Sequence, residues 1–375
     1  MGIEDRLRET LSRRVSGIGT DDGAWESILA RVERGPRRRA LPAVIAAAVA
    51  AAVAAVALAL LWPAFRHEAP APAPASAPVL SPHVTAVIPI GPWPGVIAVG
   101  EGSAWVGVRS DSGEQVLVRI DESTNQVVDR IPLEVDDLVV AFGSVWASGL
   151  GPSGGPRVSR IDPATDRVVA TIDGVGGYLA AGEGFVWALT PAEGEGVLSR
   201  IDPSNNEAVP LMDVGGPPVG LAAGEGAVWL SDTNPQTGVA LVKVDPLTGS
   251  VVDRIEGDIY SLAVGEGYVW IAKLDPQGST LVVRIDPWSD APTEPSIQWG
   301  SSFRPFDAGE GGIWIIEGPP GGICRLNADT LRDDSCVDPG DYADTGLNWS
   351  AALDTTNDTI WIANYRDTVT RVDIR

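Results

Sequence analysis

An all-β, seven-bladed β-propeller is the fold class this sequence predicts, and three observations predict it. Seven tryptophans recur in one local context: Trp105 (SAWVG), Trp146 (SVWAS), Trp187 (FVWAL), Trp229 (AVWLS), Trp270 (YVWIA), Trp314 (GIWII) and Trp361 (TIWIA), at spacings of 41, 41, 42, 41, 44 and 47. A second motif follows each one: VRIDE (118–122), SRIDP (159–163), SRIDP (199–203), VKVDP (242–246), VRIDP (283–287), CRLNA (324–328) and TRVDI (370–374). Between them, Gly 43 and Pro 30 punctuate short runs of alternating apolar and polar residues. A period near 42 of this kind is one four-stranded blade per repeat. The alternation and the glycines exclude helical repeats of similar length.

The chain divides into a tail (1–40), an apolar segment (41–62), a linker (63–83) and the repeat domain (84–375). In the tail, Ile3, Leu7, Leu11 and Val15 recur every four residues, and Trp25, Ile28, Leu29 and Val32 follow helical spacing. A tail this short cannot bury both stripes alone, so we expect partial disorder or a cytoplasmic partner. Leu41 to Trp62 carries no charge. At about 1.5 Å per residue it reaches roughly 33 Å, enough to span a bilayer once. Arg34, Arg37, Arg38 and Arg39 precede it, so the positive-inside rule places the N-terminus in the cytoplasm and the repeat domain outside the cell membrane. A signal peptide cleaved after Ala73-Pro74-Ala75 is the competing reading; the long segment ahead of the apolar run favours an uncleaved anchor. Ala69 to Pro82 is an extended Pro-rich spacer.

Within the first blade, Val96–Val99 is the inner strand A. Gly100-Glu101-Gly102-Ser103 is a tight turn, made by glycines that accept positive φ. Ala104–Val108 is strand B, with Trp105 wedged between blades. Val116–Asp121 is strand C, Asp121–Asn125 a turn capped by its aspartate, and Gln126–Leu133 the outer strand D. The last blade ends at its strand C. Val84–Ile90 (VTAVIPI) resembles strand D of the first blade (VVDRIPL), so it should complete the last blade and close the ring, which removes exposed sheet edges. Cys324 and Cys336 bracket the C–D hairpin of blade six, and cross-strand neighbours in an oxidising compartment form a disulfide.

The pattern GEGxVW…RIDPxTxxVVxTI resembles bacterial propellers that include the virginiamycin B lyase-like and YVTN-repeat proteins, over Val84 to Arg375. The resemblance implies a seven-bladed propeller. It also implies, for the lyase members, a His general base with acidic residues around Mg²⁺. Both histidines, His67 and His83, precede the repeats, so no position matches that base. The Trp-docking motif of quinoprotein dehydrogenases is missing too. We therefore expect no catalytic residue, metal or cofactor. The tail, for its part, resembles the N-termini of actinobacterial membrane regulators that act on sigma factors, without the His and Cys of the zinc-containing type.

Charge narrows the partners. The net charge is −23; residues 1–41 hold nine Arg and seven Asp/Glu, or +2, so the remainder carries −25. Such a domain repels nucleic acid. Residues repeated in every blade are structural, so function should lie where the blades differ. Three residues after the repeat tryptophans of blades four to seven stand Asp232, Lys273, Glu317 and Asn364. We take these, with Arg304 and Tyr365, as a candidate ligand-binding patch; Tyr342 and Trp349 could join it. Strand A begins at Gly95, Asp136, Gly177, Val219, Tyr260 and Arg304, which is no ring of carboxylates. The expected role is binding or sensing of a protein or envelope ligand. The alternative is a lyase or hydrolase at the channel mouth.

Overall fold

A computed structural model describes residues 82–374, apart from 193–194, 217–219, 234–237, 258, 275–279, 290–295, 300–302, 310–311, 318–321, 338–349, 355–357 and 365–366. The tail, the apolar segment and nearly all of the linker lie outside the described residues. Among the described residues no helix is long and apolar enough to cross a membrane.

The alternating runs form 28 strands in the described residues. The N-terminal β1 is His83–Pro89. Blade 1 comprises β2 (Pro94–Gly100), β3 (Ser103–Arg109), β4 (Gln115–Asp121) and β5 (Gln126–Pro132). Blade 2 comprises β6 (Asp137–Ala141), β7 (Ser144–Leu150), β8 (Pro156–Asp162) and β9 (Arg167–Asp173). Blade 3 is β10 (Tyr178–Gly182), β11 (Phe185–Ala192), β12 (Glu195–Asp202) and β13 (Glu207–Gly215). Blade 4 is β14 (Leu221–Gly224), β15 (Ala227–Asp232), β16 (Ala240–Val244) and β17 (Val251–Glu256). Blade 5 is β18 (Ile259–Gly265), β19 (Tyr268–Leu274), β20 (Thr280–Ile285) and β21 (Ser296–Trp299). Blade 6 is β22 (Phe303–Gly309), β23 (Gly312–Glu317), β24 (Ile323–Asn327) and β25 (Asp333–Val337). Blade 7 has β26 (Ser350–Asp354), β27 (Thr359–Asn364) and β28 (Thr368–Asp373) from the C-terminus.

The seventh sheet is ordered β1-β28-β27-β26, so the N-terminal strand closes the ring, one residue earlier than the sequence placed it. The inner strands form the second closure: each strand A packs on the next, including β26 on β2.

Each tryptophan of strand B is buried at the seam with the following blade. Trp105 packs with Leu138 and Val145 of blade 2, and Trp361 packs with Ile97 and Val106 of blade 1. The hydrophobic core is therefore seven separate seams rather than one centre. Five indole nitrogens donate to the carbonyl five residues earlier, as Trp187 Nε1 does to Gly182 O at 3.0 Å, so burial leaves those polar handles satisfied. The A–B turn differs in one respect from expectation. Glu101 takes φ 54° as well as Gly102 at 70°. Both central residues must be left-handed in this hairpin type, and the glutamate accepts the strain.

Cys324 and Cys336 are directly opposed in β24 and β25, and they are disulfide-bonded with Cα atoms 4.1 Å apart.

Candidate functional site

Antiparallel blades put the A–B and C–D turns at one end of the ring and the D–A and B–C loops at the other. The turn end is repetitive. In blades 1 to 5 and 7 the basic residue of the repeated strand C motif lies with its charge over an aromatic ring of its own blade: Arg119 is 5.1 Å from the Trp105 ring, Arg160 4.9 Å from Trp146, and Arg200 4.6 Å from Phe185. The same side chain then crosses to the C–D turn of the next blade. Arg119 donates to Pro163 O and Asp166 Oδ1, both at 2.7 Å. Arg160 donates to Pro203 O at 2.7 Å and Asn206 Oδ1 at 2.9 Å. Arg200, Lys243 and Arg284 reach Pro246, Pro287 and Ala328 in turn. Arg371 of blade 7 closes the circuit on Glu122 and Asn125 of blade 1. The receiving turns present carbonyls because Asp121, Asp162, Asp202 and Asp245 fold each one with side-chain oxygens; the hydroxyl and backbone donors they collect hold all four carboxyls below the usual range. A second link crosses between A–B turns: Glu183 accepts from Gly226 N and Glu225 from Gly267 N, each at 3.0 Å.

The inner strands carry carboxylates that the sequence reading passed over. Asp137 accepts from Leu138 N at 2.9 Å and from Leu179 N of the next blade at 2.8 Å. Asp307 accepts from Ala308 N at 2.9 Å and Leu353 N of the next blade at 3.3 Å. Each caps a backbone donor on the free inner edge of its neighbour. Loss of solvation outweighs those hydrogen bonds and pushes both carboxyls up to about 6. Asp307 sits opposite Trp314, where blades 1 to 5 place Ala98, Val139, Ala180, Ala222 and Ala263.

The loop end is individual. On blades 1 to 3 it exposes Trp93, Leu150 and Tyr178 at 43%, 51% and 39%. Trp93 is fixed by donation from its indole nitrogen to Asp111 Oδ1 at 2.9 Å. A cleft of about 310 Å³ lies beside Leu150, lined by Leu133, Glu134, Gly149, Gly151 and Arg157. Gly149 is required there, because a side chain would collide with the Glu134 carbonyl. Arg157 is ion-paired to Asp173 at 2.7 Å. Asp136 is raised above the ordinary range by burial first and the Glu134 charge second, against a lowering by Arg109.

Five of the six residues proposed from sequence, Asp232, Lys273, Arg304, Glu317 and Asn364, fall at this same end by register. Asp232 ends β15, buried, and pairs with Arg254 of its own blade at 2.5 Å. Asn364 ends β27 and donates to Thr368 Oγ1 at 3.0 Å and Thr370 Oγ1 at 2.8 Å. Both hold their own blade together. Lys273 is half-buried in β19, opposite Ile259 and Leu281. Arg304 lies in β22 and Glu317 ends β23, opposite Phe303. Tyr365, Tyr342 and Trp349 lie outside the described residues. The Asp232 carboxylate turns to the outer strand, where Arg254 offers a charge-assisted bond. Among the described residues no group of three or more His, Cys, Asp or Glu could hold a metal ion.

No known family's sequence model matches this chain, and no curated protein matches it. Solved structures do. The WD40 domain of Toxoplasma gondii coronin aligns with TM-score 0.57 at 12% identity, over 78% of this chain and 85% of that one. A chain of a mitotic checkpoint complex aligns with TM-score 0.62 at 11% identity, over 83% of this chain and 97% of that one. At such identities the likeness is one of fold.

Proposed function

We propose that this propeller is a scaffold that binds a protein partner or envelope ligand through its loop end. The observation that carries the reading is the contrast between the ends. The turn end repeats one inter-blade clamp, whereas the loop end of blades 1 to 3 shows Trp93, Leu150 and Tyr178 among charges that no other blade repeats. Exposed rigid aromatics beside charged side chains are the composition of recognition surfaces. One fold neighbour is described as part of a complex, which agrees with scaffold use. Lys273, Arg304, Glu317 and Tyr365 extend the proposed surface to blades 5 to 7.

We place the propeller outside the cell membrane, anchored by residues 41–62 with the tail inside, on the strength of the uncharged apolar segment and the arginines that precede it. The disulfide Cys324–Cys336 supports an oxidising compartment. Coupling to the tail would make the domain a sensor. The lyase or hydrolase alternative is weaker, because Asp232 is ion-paired with Arg254 and His83, which the structure places inside blade 7 rather than before the repeats, begins the outer strand β1 opposite Asp373, away from the loop end.

The test is site-specific photocrosslinking of the full chain in cells, with the probe at Leu150, at Tyr178 or at Val169 on the outer strand. Defined adducts from the first two positions and none from Val169 support the reading. Adducts from Val169 alone contradict it. Labelling of a cysteine placed at Ser112 by a membrane-impermeant maleimide in intact cells tests the topology.

A further inference from the structure

On the flank between blades 4 and 5, near the turn end, one repeat position departs from all its equivalents. The C–D turns place Ser123, Ala164, Ser204, Leu247 and Asp329 after the second turn residue; blade 5 places Trp288 there. Its ring is 72% exposed. Yet it is held: its backbone nitrogen donates to Asp286 Oδ1 at 2.9 Å, and its far edge rests on Gly226 in the A–B turn of blade 4, where any side chain would clash. Beneath it Lys243 is clamped, 5.2 Å from the Trp229 ring and 5.5 Å from the Trp288 ring, with its ammonium donating to Pro287 O.

Beside this ring opens a cleft of about 200 Å³ lined by Val252, Asp253, Asp286 and Ser289 as well as Lys243 and the two tryptophans. One oxygen of each carboxylate is used: Asp253 Oδ1 accepts from Arg254 N at 2.7 Å, and Asp286 Oδ1 from Trp288 N. Among the described residues the second oxygen of each takes no protein hydrogen bond. The cleft thus joins a flat, pre-positioned aromatic face to two fixed acceptors at its rim.

We propose that this cleft is a carbohydrate-binding subsite. A sugar ring presents C–H groups on one face and hydroxyls around its edge. It therefore needs an apolar platform with hydrogen-bonding groups in the plane beside it, and charged acceptors make the stronger bonds. A tryptophan already immobilised against its own scaffold costs little ordering entropy on binding. An organic cation would also suit an aromatic ring and carboxylates. Lys243 argues against it: the protein's own ammonium already occupies the cation–π position on Trp288 and repels a second cation. An anion is opposed by Asp253 and Asp286. A neutral polyol is the chemistry left. The site lies apart from the loop end, so its failure leaves the partner-binding proposal standing.

The experiment is saturation-transfer difference NMR on the full chain in a detergent without a sugar headgroup. The probes are glucose, galactose, mannose, arabinose and N-acetylglucosamine, with tetramethylammonium and inorganic phosphate as comparisons. We expect transfer to the ring C–H protons of at least one sugar, lost in Trp288→Ala and weakened several-fold in the paired Asp253→Asn and Asp286→Asn substitutions. The paired variant leaves the Trp288 packing in place and serves if Trp288→Ala does not fold. No transfer to any of the sugars overturns the proposal, as does transfer that survives both variants or transfer to tetramethylammonium alone.

Discussion

The two ends of the ring use their polar residues in opposite ways. At the turn end, Arg119, Arg160, Arg200, Lys243, Arg284 and Arg371 each leave their own blade and bond the turn of the next. At the loop end, Asp232 bonds Arg254 and Asn364 bonds Thr368 and Thr370, each inside its own blade, and the crossings from Asp137 to Leu179 N and from Ser148 to Gly177 O are confined to the seam of blades 2 and 3. The first pattern couples neighbours, and it must recur because every seam needs it. The second pattern leaves each blade's loops free to differ. A repeat protein can thus keep one end constant for cohesion and vary the other without loosening the ring.

Titration sharpens the same contrast. The turn aspartates Asp121, Asp162, Asp202 and Asp245 are held low, so the stability they contribute is present above the ordinary value of 3.8 and lost as pH falls through their folded values. The inner carboxyls Asp137 and Asp307 are raised to about 6, so their contribution is present below 3.8 and lost as pH rises to about 6.

The largest expected effect comes from breaking closure. Removing residues 83–90 leaves β28 with an unpaired edge. The shortened chain should lose its single cooperative melting transition and aggregate; an unchanged melting curve would show that the inner-strand ring suffices. Next comes the seam that the clamp serves differently. Blade 7 has no C–D turn, because its outer strand is β1. The blade 6 hairpin instead carries the disulfide, closing a loop with sequence separation 12. Replacing Cys324 and Cys336 by alanine should lower unfolding free energy by about 2–3 kcal/mol, measured by denaturant titration.

A smaller effect separates the inner carboxyls from the turn aspartates. Substituting Asp137 and Asp307 by asparagine should flatten the fall of stability between about pH 4 and 6, removing about 1–2 kcal/mol of pH-dependence per site after allowance for partial exposure. The reading is the slope and not the offset, since asparagine also changes the hydrogen bonds. A slope that survives assigns the dependence to other groups. The smallest stability effect belongs to the loop end: Leu150→Ala with Tyr178→Ala should change unfolding free energy by no more than about 0.5 kcal/mol while abolishing the adducts formed from a probe at Trp93 on the same surface. A large loss of stability would make these side chains structural.

Blade number, ring closure and the disulfide were legible in the sequence because each rests on local spacing. The tryptophan period sets the blades, the missing last strand asks for VTAVIPI, and two cysteines across one hairpin face each other. Asp137 and Asp307 were not legible. Their partners, Leu179 N and Leu353 N, lie 42 and 46 residues away and are reached only once the inner strands form a ring. The arginine clamp was half legible: its recurrence marked it as structural, but nothing local says that it serves the next blade. Of the proposed patch, the position at the loop end followed from register. The engagement of Asp232 by Arg254 did not, because a strand-D partner has no fixed offset from strand B.

The coupling of one blade to the next is measured most directly by a double-mutant cycle on Arg119 and Asp166, whose side chains meet at 2.7 Å across the seam of blades 1 and 2. Asp166 has φ 56°, so glycine replaces it without backbone strain. Unfolding free energies of the wild type, Arg119→Ala, Asp166→Gly and the double variant should give a coupling energy of about 1–2 kcal/mol. A coupling near zero would mean that the arginines serve only their own blades, contradicting the clamp.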